Sequence, residues 1–257
     1  SSDVCSSDLS SEMKAIADQC TTFSTFPPGH IYTEKTGFVK YYQPEWEDAS
    51  KAVEAVDYKA IRKSLTQAVK KRLMADVPFG VLLSGGLDSS LTSSIACRLL
   101  EGTGQKIHSF SIGLDADSPD TKAARKVAEF IGTEHHEIHF TIEQGIEILE
   151  KLIWHLETYD VTSIRASTPM YFLSKTITEQ GIKMVLSGEG ADEVFGGYLY
   201  FRNAPSAAEF QQETIDRVQK LFTADLLRAD KSTMAHGLEA RVPFLDKEFM
   251  DVAMRVN

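Results

Sequence analysis

Seven consecutive residues, Ser84-Gly85-Gly86-Leu87-Asp88-Ser89-Ser90, combine paired glycines, three hydroxyls and a carboxylate. The buried-type run Val81-Leu82-Leu83 precedes them, and Leu91, Ile95 and Leu99 follow at helical spacing. A strand, a glycine-rich turn and a helix N-terminus together make an anion site. Glycines let the backbone approach a phosphate, and the first helical amides and the macrodipole favour negative charge there. A Walker A loop needs a lysine, and none is present in this heptapeptide. Asp88 instead stands where a phosphate would lie, which makes chemical sense when a hard cation such as Mg²⁺ bridges the two. The rival reading is a tight turn with Asp88 and Ser89 capping the helix; it requires neither the paired glycines nor two further serines.

A second constellation, Ser187-Gly188-Glu189-Gly190-Ala191-Asp192-Glu193-Val194-Phe195-Gly196-Gly197-Tyr198, follows the apolar run 182–186. Its three carboxylates repel one another unless cations or donors compensate. Asp192 is therefore a second magnesium candidate opposite Asp88, and a solvated acidic turn is the alternative. His135, His136 and His139 invite a metal reading too. Strand alternation sends His136 to the face opposite His135 and His139, and no carboxylate or cysteine completes a recognisable set. They are expected to be ordinary strand histidines, and Cys97 a core-packing residue.

These loops need a frame. Val56, Ile61, Leu65, Val69 and Leu73 predict an amphipathic helix of roughly twenty residues beginning near residue 54. Strands and helices then alternate: strand 81–83, helix 90–100, strand 107–113, helix 119–131, strand 135–140, helix 142–156 and strand 182–186. Between the last two, Thr168 and Pro169 are expected at the N-cap and first position of a helix. Residues 205–222 read as helical. The alternation predicts an α/β fold, a doubly wound parallel sheet with flanking helices. Ligands of such sheets sit beyond the carboxyl ends of the strands, so residues 84–90 and 187–198 are expected to face one crevice.

Residues 12–50 differ in character. Ile31-Tyr32 and Phe38-Val39-Lys40-Tyr41-Tyr42 flank Thr36-Gly37 and read as a hairpin. Two or three strands cannot bury a core alone. This segment is expected to be the end of another domain with its linker, and 51–257 the main domain. Residues 1–11, beginning SSDVCSSDL, are expected to be an anomalous, disordered leader outside the fold. The pattern at 255–257 stops without cap or breaker, so truncation is expected at both ends.

Composition bounds the rest. The chain has 257 residues, 42% of them hydrophobic, enough for a buried core. No apolar run approaches the roughly eighteen residues of a membrane span, and no signal peptide opens the sequence. Thirty-seven acids against 27 bases give a net charge of -10, which argues against generic nucleic-acid affinity. Cys5, Cys20 and Cys97 lie far apart, giving neither a disulfide framework nor a zinc motif; a reducing cytoplasm is the default.

The loop 84–90 resembles the SGGxDS mark of the PP-loop ATP pyrophosphatases, which split ATP into AMP and pyrophosphate. Alone it leaves GMP synthetases, argininosuccinate synthetases, tRNA-modifying thiolases and asparagine synthetases open. VLSGEGADEVFGGYLYF, residues 185–201, is similar to the asparagine synthetase signature. Residues 160–169, 228–235 and 237–246 resemble the same family's substrate and downstream segments, in order, over residues 12–257. The chain thus resembles the synthetase domain of glutamine-hydrolysing asparagine synthetases.

That resemblance implies an adenine nucleotide alpha-hydrolase-like fold with a short β remnant of an N-terminal glutaminase domain. It implies ATP-dependent amidation of aspartate through β-aspartyl-AMP, with ammonia normally supplied from glutamine. Leu83, Ile112, Ser187 and Gly188 would frame adenine and ribose. Ser84, Gly85, Gly86, Ser89 and Ser90 would bind pyrophosphate, with Asp88 and Asp192 holding Mg²⁺. Glu189 would act at the acyl-adenylate and ammonia step, with Arg165 and Thr162 near the aspartate or the reacting phosphate. Tyr198 carries over as a nucleotide contact, Asp225 as a substrate contact and Lys231 as a catalytic residue. For Lys231 an ion pair with Glu239 or Asp246 is the alternative. Arg241 is expected to be a buried structural guanidinium rather than a catalyst. Neither a nucleic-acid nor a membrane partner is implied, the localisation implied is cytoplasmic, and a homodimer of the full-length protein is allowed. Cys5 is not the glutaminase nucleophile, so glutamine hydrolysis is not expected of this chain. Two other readings stay open. One is a sibling amidotransferase or cyclising synthetase with another carboxylate substrate. The other is a non-catalytic ATP-binding fragment, which loss of Asp88, Glu189 or Asp192 would mark; all three are present.

Overall fold

A computed structural model describes residues 8–256. Cys5 and most of the expected leader lie outside that range. The expected hairpin forms: β1 (His30–Thr33) and β2 (Gly37–Lys40) pair antiparallel, with Ile31 opposite Val39. Asp57 then decides where the first long helix starts. Its carboxylate accepts from the amides of Lys59 (2.8 Å) and Ala60 (3.1 Å), so α1 is Tyr58–Arg72 and Val56 stays outside it. The helix is shorter than its apolar spacing predicted because the cap outranks the pattern.

Beyond α1 the chain alternates as expected: β3 (Phe79–Leu82), α2 (Leu87–Leu99), β4 (His108–Gly113), α3 (Pro119–Ile131) and β5 (Glu134–His139). The expected helix 142–156 is broken at Ile148 into α4 (Ile142–Glu147) and α5 (Leu149–Leu156). Next comes α6 (Val161–Glu179), whose start corrects the expectation at Thr168. Asp160 is the N-cap, its carboxylate accepting from the Ser163 amide at 2.7 Å. Thr168 lies inside the helix, its hydroxyl donating to the Ile164 carbonyl at 2.9 Å. Pro169 is therefore an interior proline, and it leaves the Arg165 carbonyl without an intrahelical donor. The order closes with β6 (Met184–Leu186), α7 (Ala191–Phe195), α8 (Ala207–Lys220), α9 (Asp225–Met234), β7 (Glu239–Arg241) and α10 (Lys247–Ala253).

Five strands form one parallel sheet in the order β5-β4-β3-β6-β7, so the chain starts in the middle, builds outward one way, then returns and builds the other way. Helices cover both faces. Val81, Met184 and Leu186 pack with Val69 of α1 and Ala96 of α2. Val185 and Phe110 pack on the other face with Leu173 and Ile177 of α6. Each fully buried side chain of this size contributes about 2 kcal/mol. Trp46, only 5% exposed, joins a third cluster with Leu65, Ile215 and Phe249, so the segment before residue 51 is packed into the domain that follows.

Two polar anchors tie β7 and α10 to α1. The Arg241 guanidinium is partly exposed, and its Nη1 donates to the carbonyls of Arg72 (2.9 Å) and Met74 (2.6 Å), satisfying the end of α1. Asp246 is nearly buried; it accepts from Arg72 (2.8 Å) and from the amides of Glu248 (3.1 Å) and Phe249 (3.3 Å), capping α10. Asp246→Ala leaves the Arg72 charge unpaired and α10 uncapped. In urea unfolding it is expected to lose about 3 kcal/mol. Asp246→Asn, which keeps a capping oxygen, is expected to lose less.

Candidate active site

The sheet order reverses between β3 and β6, so the loops that leave their carboxyl ends diverge and open a crevice. A cleft of about 440 Å³ lies there, lined by residues from both expected loops. Two glycines hold its floor. Gly85 has φ +80°, and a Cβ there would meet the Ala123 and Ala124 backbone of α3 at 2.5–2.6 Å. A Cβ on Gly188 would stand 2.9 Å from the Ser89 amide, so glycine lets the second loop lie against the first.

The first loop ends on Gly86, the N-cap of α2, which has no side chain to close the first turn. Neither Asp88 nor Ser89 caps the helix. Ser89 Oγ instead accepts from the Ser84 amide (3.2 Å) and lies 2.9 Å from Ser84 Oγ, fixing the turn. The helix start is left facing the cleft with its positive end, as an anion site requires. Ser84, Gly86, Asp88 and Ser89 line the cleft; Gly85 is packed against α3, and the Ser90 hydroxyl donates to the Gly86 carbonyl at 2.5 Å. Ile112 and Phe110 add an apolar wall. Leu83 reaches the lining too, but its side chain packs on Ala124 and Ala128.

The other wall is acidic. Asp88, Asp120, Glu189, Asp192, Glu193 and Asp225 line the cleft, and Arg228 is the one cation among its described lining residues. Burial pushes the Asp88 carboxyl above the usual range, and the Asp192 charge pushes it further. Burial also raises Glu189, with Asp225, Glu193 and Asp192 adding to the rise and Arg228 opposing it. Arg228 holds Glu189 at 3.3 Å and Asp225 at 2.9 Å. Glu193 is buried and raised by that burial although the Tyr198 hydroxyl donates to it. Burial, then the Glu193 carboxylate, raises the Tyr198 hydroxyl in turn. Two opposed carboxylates such as Asp88 and Asp192 form an all-oxygen donor set that suits a hard divalent cation.

Of the expected site residues, Leu83, Ser84, Gly86, Asp88, Ser89, Ile112, Ser187, Gly188, Glu189, Asp192, Tyr198 and Asp225 line the cleft. Thr162 and Arg165 lie exposed in the first turns of α6, outside the lining. Lys231 is elsewhere as well. Its ammonium is paired neither with Glu239, which holds Arg241, nor with Asp246, which holds Arg72, but with Glu157. Arg228, Phe110 and Asp120 were not expected in the cleft. For Arg228 the available signal was its place one helical turn after Asp225.

The Glu157–Lys231 pair is about nine-tenths buried. Glu157 ends α5 in the left-handed region, φ +56°, and also accepts from the amides of Met13 (3.2 Å) and Lys14 (2.6 Å). Burial alone would raise this carboxyl; the Lys231 ammonium and the two amides outweigh it and hold it down to about 2. Because the folded value lies below the unfolded one, the stabilisation is complete above about pH 5, where both states are ionised. It drains away as the pH falls toward 2, amounting to about 3 kcal/mol. Glu157→Gln is expected to lose most of that at pH 7 and to show a flatter decline in acid, read by urea unfolding at both pH values.

A family model described as asparagine synthase matches residues 60–216 and 202–257. Glutamine-hydrolysing asparagine synthetase 1 of Arabidopsis thaliana is 56% identical over 256 residues, covering 97% of this chain and 44% of the relative. Its namesake in Saccharomyces cerevisiae is 53% identical over 280 residues, covering 97% of this chain and 49% of the relative. The chain thus spans about half the length of these curated relatives. A solved U34-tRNA thiolase of Methanococcus maripaludis superposes with a TM-score of 0.45 at 18% identity, covering 85% of this chain and 70% of that one.

Proposed function

Because the chain belongs to the asparagine synthase family, we propose that the cleft between β3 and β6 binds ATP and uses it to convert aspartate into asparagine. The observation that carries this is the uncapped glycine turn at residues 84–86 lining one crevice together with the Asp88–Asp192 pair. Asp88 and Asp192 would hold Mg²⁺, which when bound would offset phosphate charge and stabilise the departing pyrophosphate.

The amides opening α2, with Ser84 and Ser89, receive the phosphates. Ile112 and Phe110, with the backbone at Leu83, Ser187 and Gly188, frame the base and ribose. An oxygen of the aspartate β-carboxylate attacks the α-phosphorus, the bond to the β-phosphate oxygen breaks, and pyrophosphate leaves with the electron pair. Ammonia then attacks the β-carbonyl carbon of β-aspartyl-AMP, loses a proton and expels AMP. Glu189, held by Arg228, lies next to that second step. Its raised carboxyl makes it suited to take a proton from the incoming amine. Substrate filling the cleft would displace water, which would otherwise hydrolyse the acyl-adenylate. Thr162, Arg165 and Lys231 would act only after closure over substrate; Lys231 would first have to leave Glu157.

The proposal extends to the whole protein. Residues 12–50 would be the end of a glutaminase domain with its linker, and ammonia would come from glutamine hydrolysed there. The protein would work in the cytoplasm, with neither nucleic acid nor membrane as a partner, and as a homodimer at full length. The test supplies ¹⁵N-ammonium, aspartate, MgATP and the chain. ¹⁵N-amide asparagine by NMR is the expected product. Amidation of another carboxylate in preference to aspartate would favour the sibling-synthetase reading.

A further inference from the structure

We propose that His108, Glu134 and His136 form a site for a zinc-like divalent cation where strands β4 and β5 begin. The sheet register assembles it. His108 opens β4, Glu134 opens β5, and the two are directly paired. His136 lies two residues further along β5, so it projects from the same face as Glu134. The three side chains come from two neighbouring strands at one edge of the sheet.

Their ligand atoms are already gathered. His108 Nδ1 lies 3.0 Å from His136 Nε2, and Glu134 Oε1 lies 3.9 Å from each of those nitrogens. Three atoms at these separations lie on a circle of radius about 2.1 Å, so a cation at its centre sits at a zinc–nitrogen or zinc–oxygen bond length from all three. The His136 ring is stacked on Phe110 at 4.9 Å and the His108 ring at 6.4 Å, which limits their rotation. Lys106, whose ammonium lies 3.9 Å from the other oxygen of Glu134, is a competing charge. One proton now links the two imidazoles, and a cation would take its place. The side chains are partly exposed, which leaves an entry path and an open position for water.

Donor chemistry selects the ion. Two imidazoles and one carboxylate suit zinc and its neighbours rather than magnesium or calcium, which prefer all-oxygen shells. This site is also separate from Asp88–Asp192. None of His108, Glu134 and His136 lines the cleft, although Phe110, whose ring stacks on His136, also belongs to the cleft's apolar wall. Bound metal would staple edge strand β5 to β4 where the pair begins. Strand alternation within residues 135–139 concealed the set, because its second histidine lies on β4 and its carboxylate comes just before.

Cobalt titration of the metal-free 257-residue chain tests this. One equivalent of Co²⁺ should give visible d–d bands without the near-ultraviolet band of a thiolate ligand, and Zn²⁺ should displace it and raise the Tm. His136→Ala and the milder, exposed Glu134→Gln should each weaken binding by at least about tenfold, whereas Asp88→Asn should leave it unchanged. Binding that survives both substitutions, a thiolate band, or no uptake of micromolar cobalt would overturn the proposal.

Discussion

Asp88→Ala is expected to abolish magnesium-dependent ATP binding and to lower AMP formation by at least about 10³-fold. The reason is the charge balance of the cleft. Six carboxylates line it against one described guanidinium, so a polyphosphate cannot enter until cations offset both sets of charges. Asp88 sits in the first turn of α2 beside the glycine turn and close enough to Asp192 for that charge to raise its carboxyl. Calorimetry should therefore show ATP binding to the unaltered chain with Mg²⁺, none with EDTA, and none for the variant under either condition. Folding should survive, because Asp88 takes part in no ion pair among the described residues and only in a turn that Ser84 and Ser89 hold by themselves. Tight ATP binding by the variant would remove Asp88 from the site.

Glu189→Gln is expected to move activity and stability in opposite directions. The side chain keeps its shape but loses the charge that burial and three neighbouring acids disfavour. A carboxyl whose folded value is raised subtracts from stability once the pH exceeds its unfolded value, and the loss grows until the folded value is passed. The amide removes that penalty, so the variant is expected to match or exceed the parent in urea at pH 7. Arg228 keeps Asp225 as its partner. Asparagine formation is expected to fall about 10²- to 10³-fold, because the proton acceptor proposed for the second step is gone. Pyrophosphate release, which belongs to the first step, should fall much less. A variant that loses stability and both steps together would make Glu189 structural.

Much of the frame was readable from the residues. Ser118 and Pro119 begin α3 with a side-chain cap and a proline at the first position, and the helix spans the expected 119–131. Both chemical loops follow short apolar runs, and the strand–helix alternation placed them on one crevice. Where two local signals competed, pattern reading chose badly. Asp160 and Thr168 are both good caps, and only packing of α6 along the sheet selects the earlier one. Strand β7 is three residues without an apolar run, and only its pairing with β6 makes it a strand. Long-range pairs were beyond reach for the same reason. Lys231 meets Glu157 across 74 residues and His108 meets His136 across 28, and spacing along the chain carries no trace of either. Arg228 was hidden more simply: a lone arginine on an amphipathic helix reads as surface until Glu189 and Asp225 are seen around it.

The most direct test is to incubate the chain with MgATP, aspartate and ammonium and to separate the nucleotide products. The proposed site cleaves between the α- and β-phosphates, so AMP and pyrophosphate should appear in equal amounts, depend on aspartate, and vanish with Asp88→Ala. ADP and inorganic phosphate, or AMP formed at the same rate without aspartate, would contradict it.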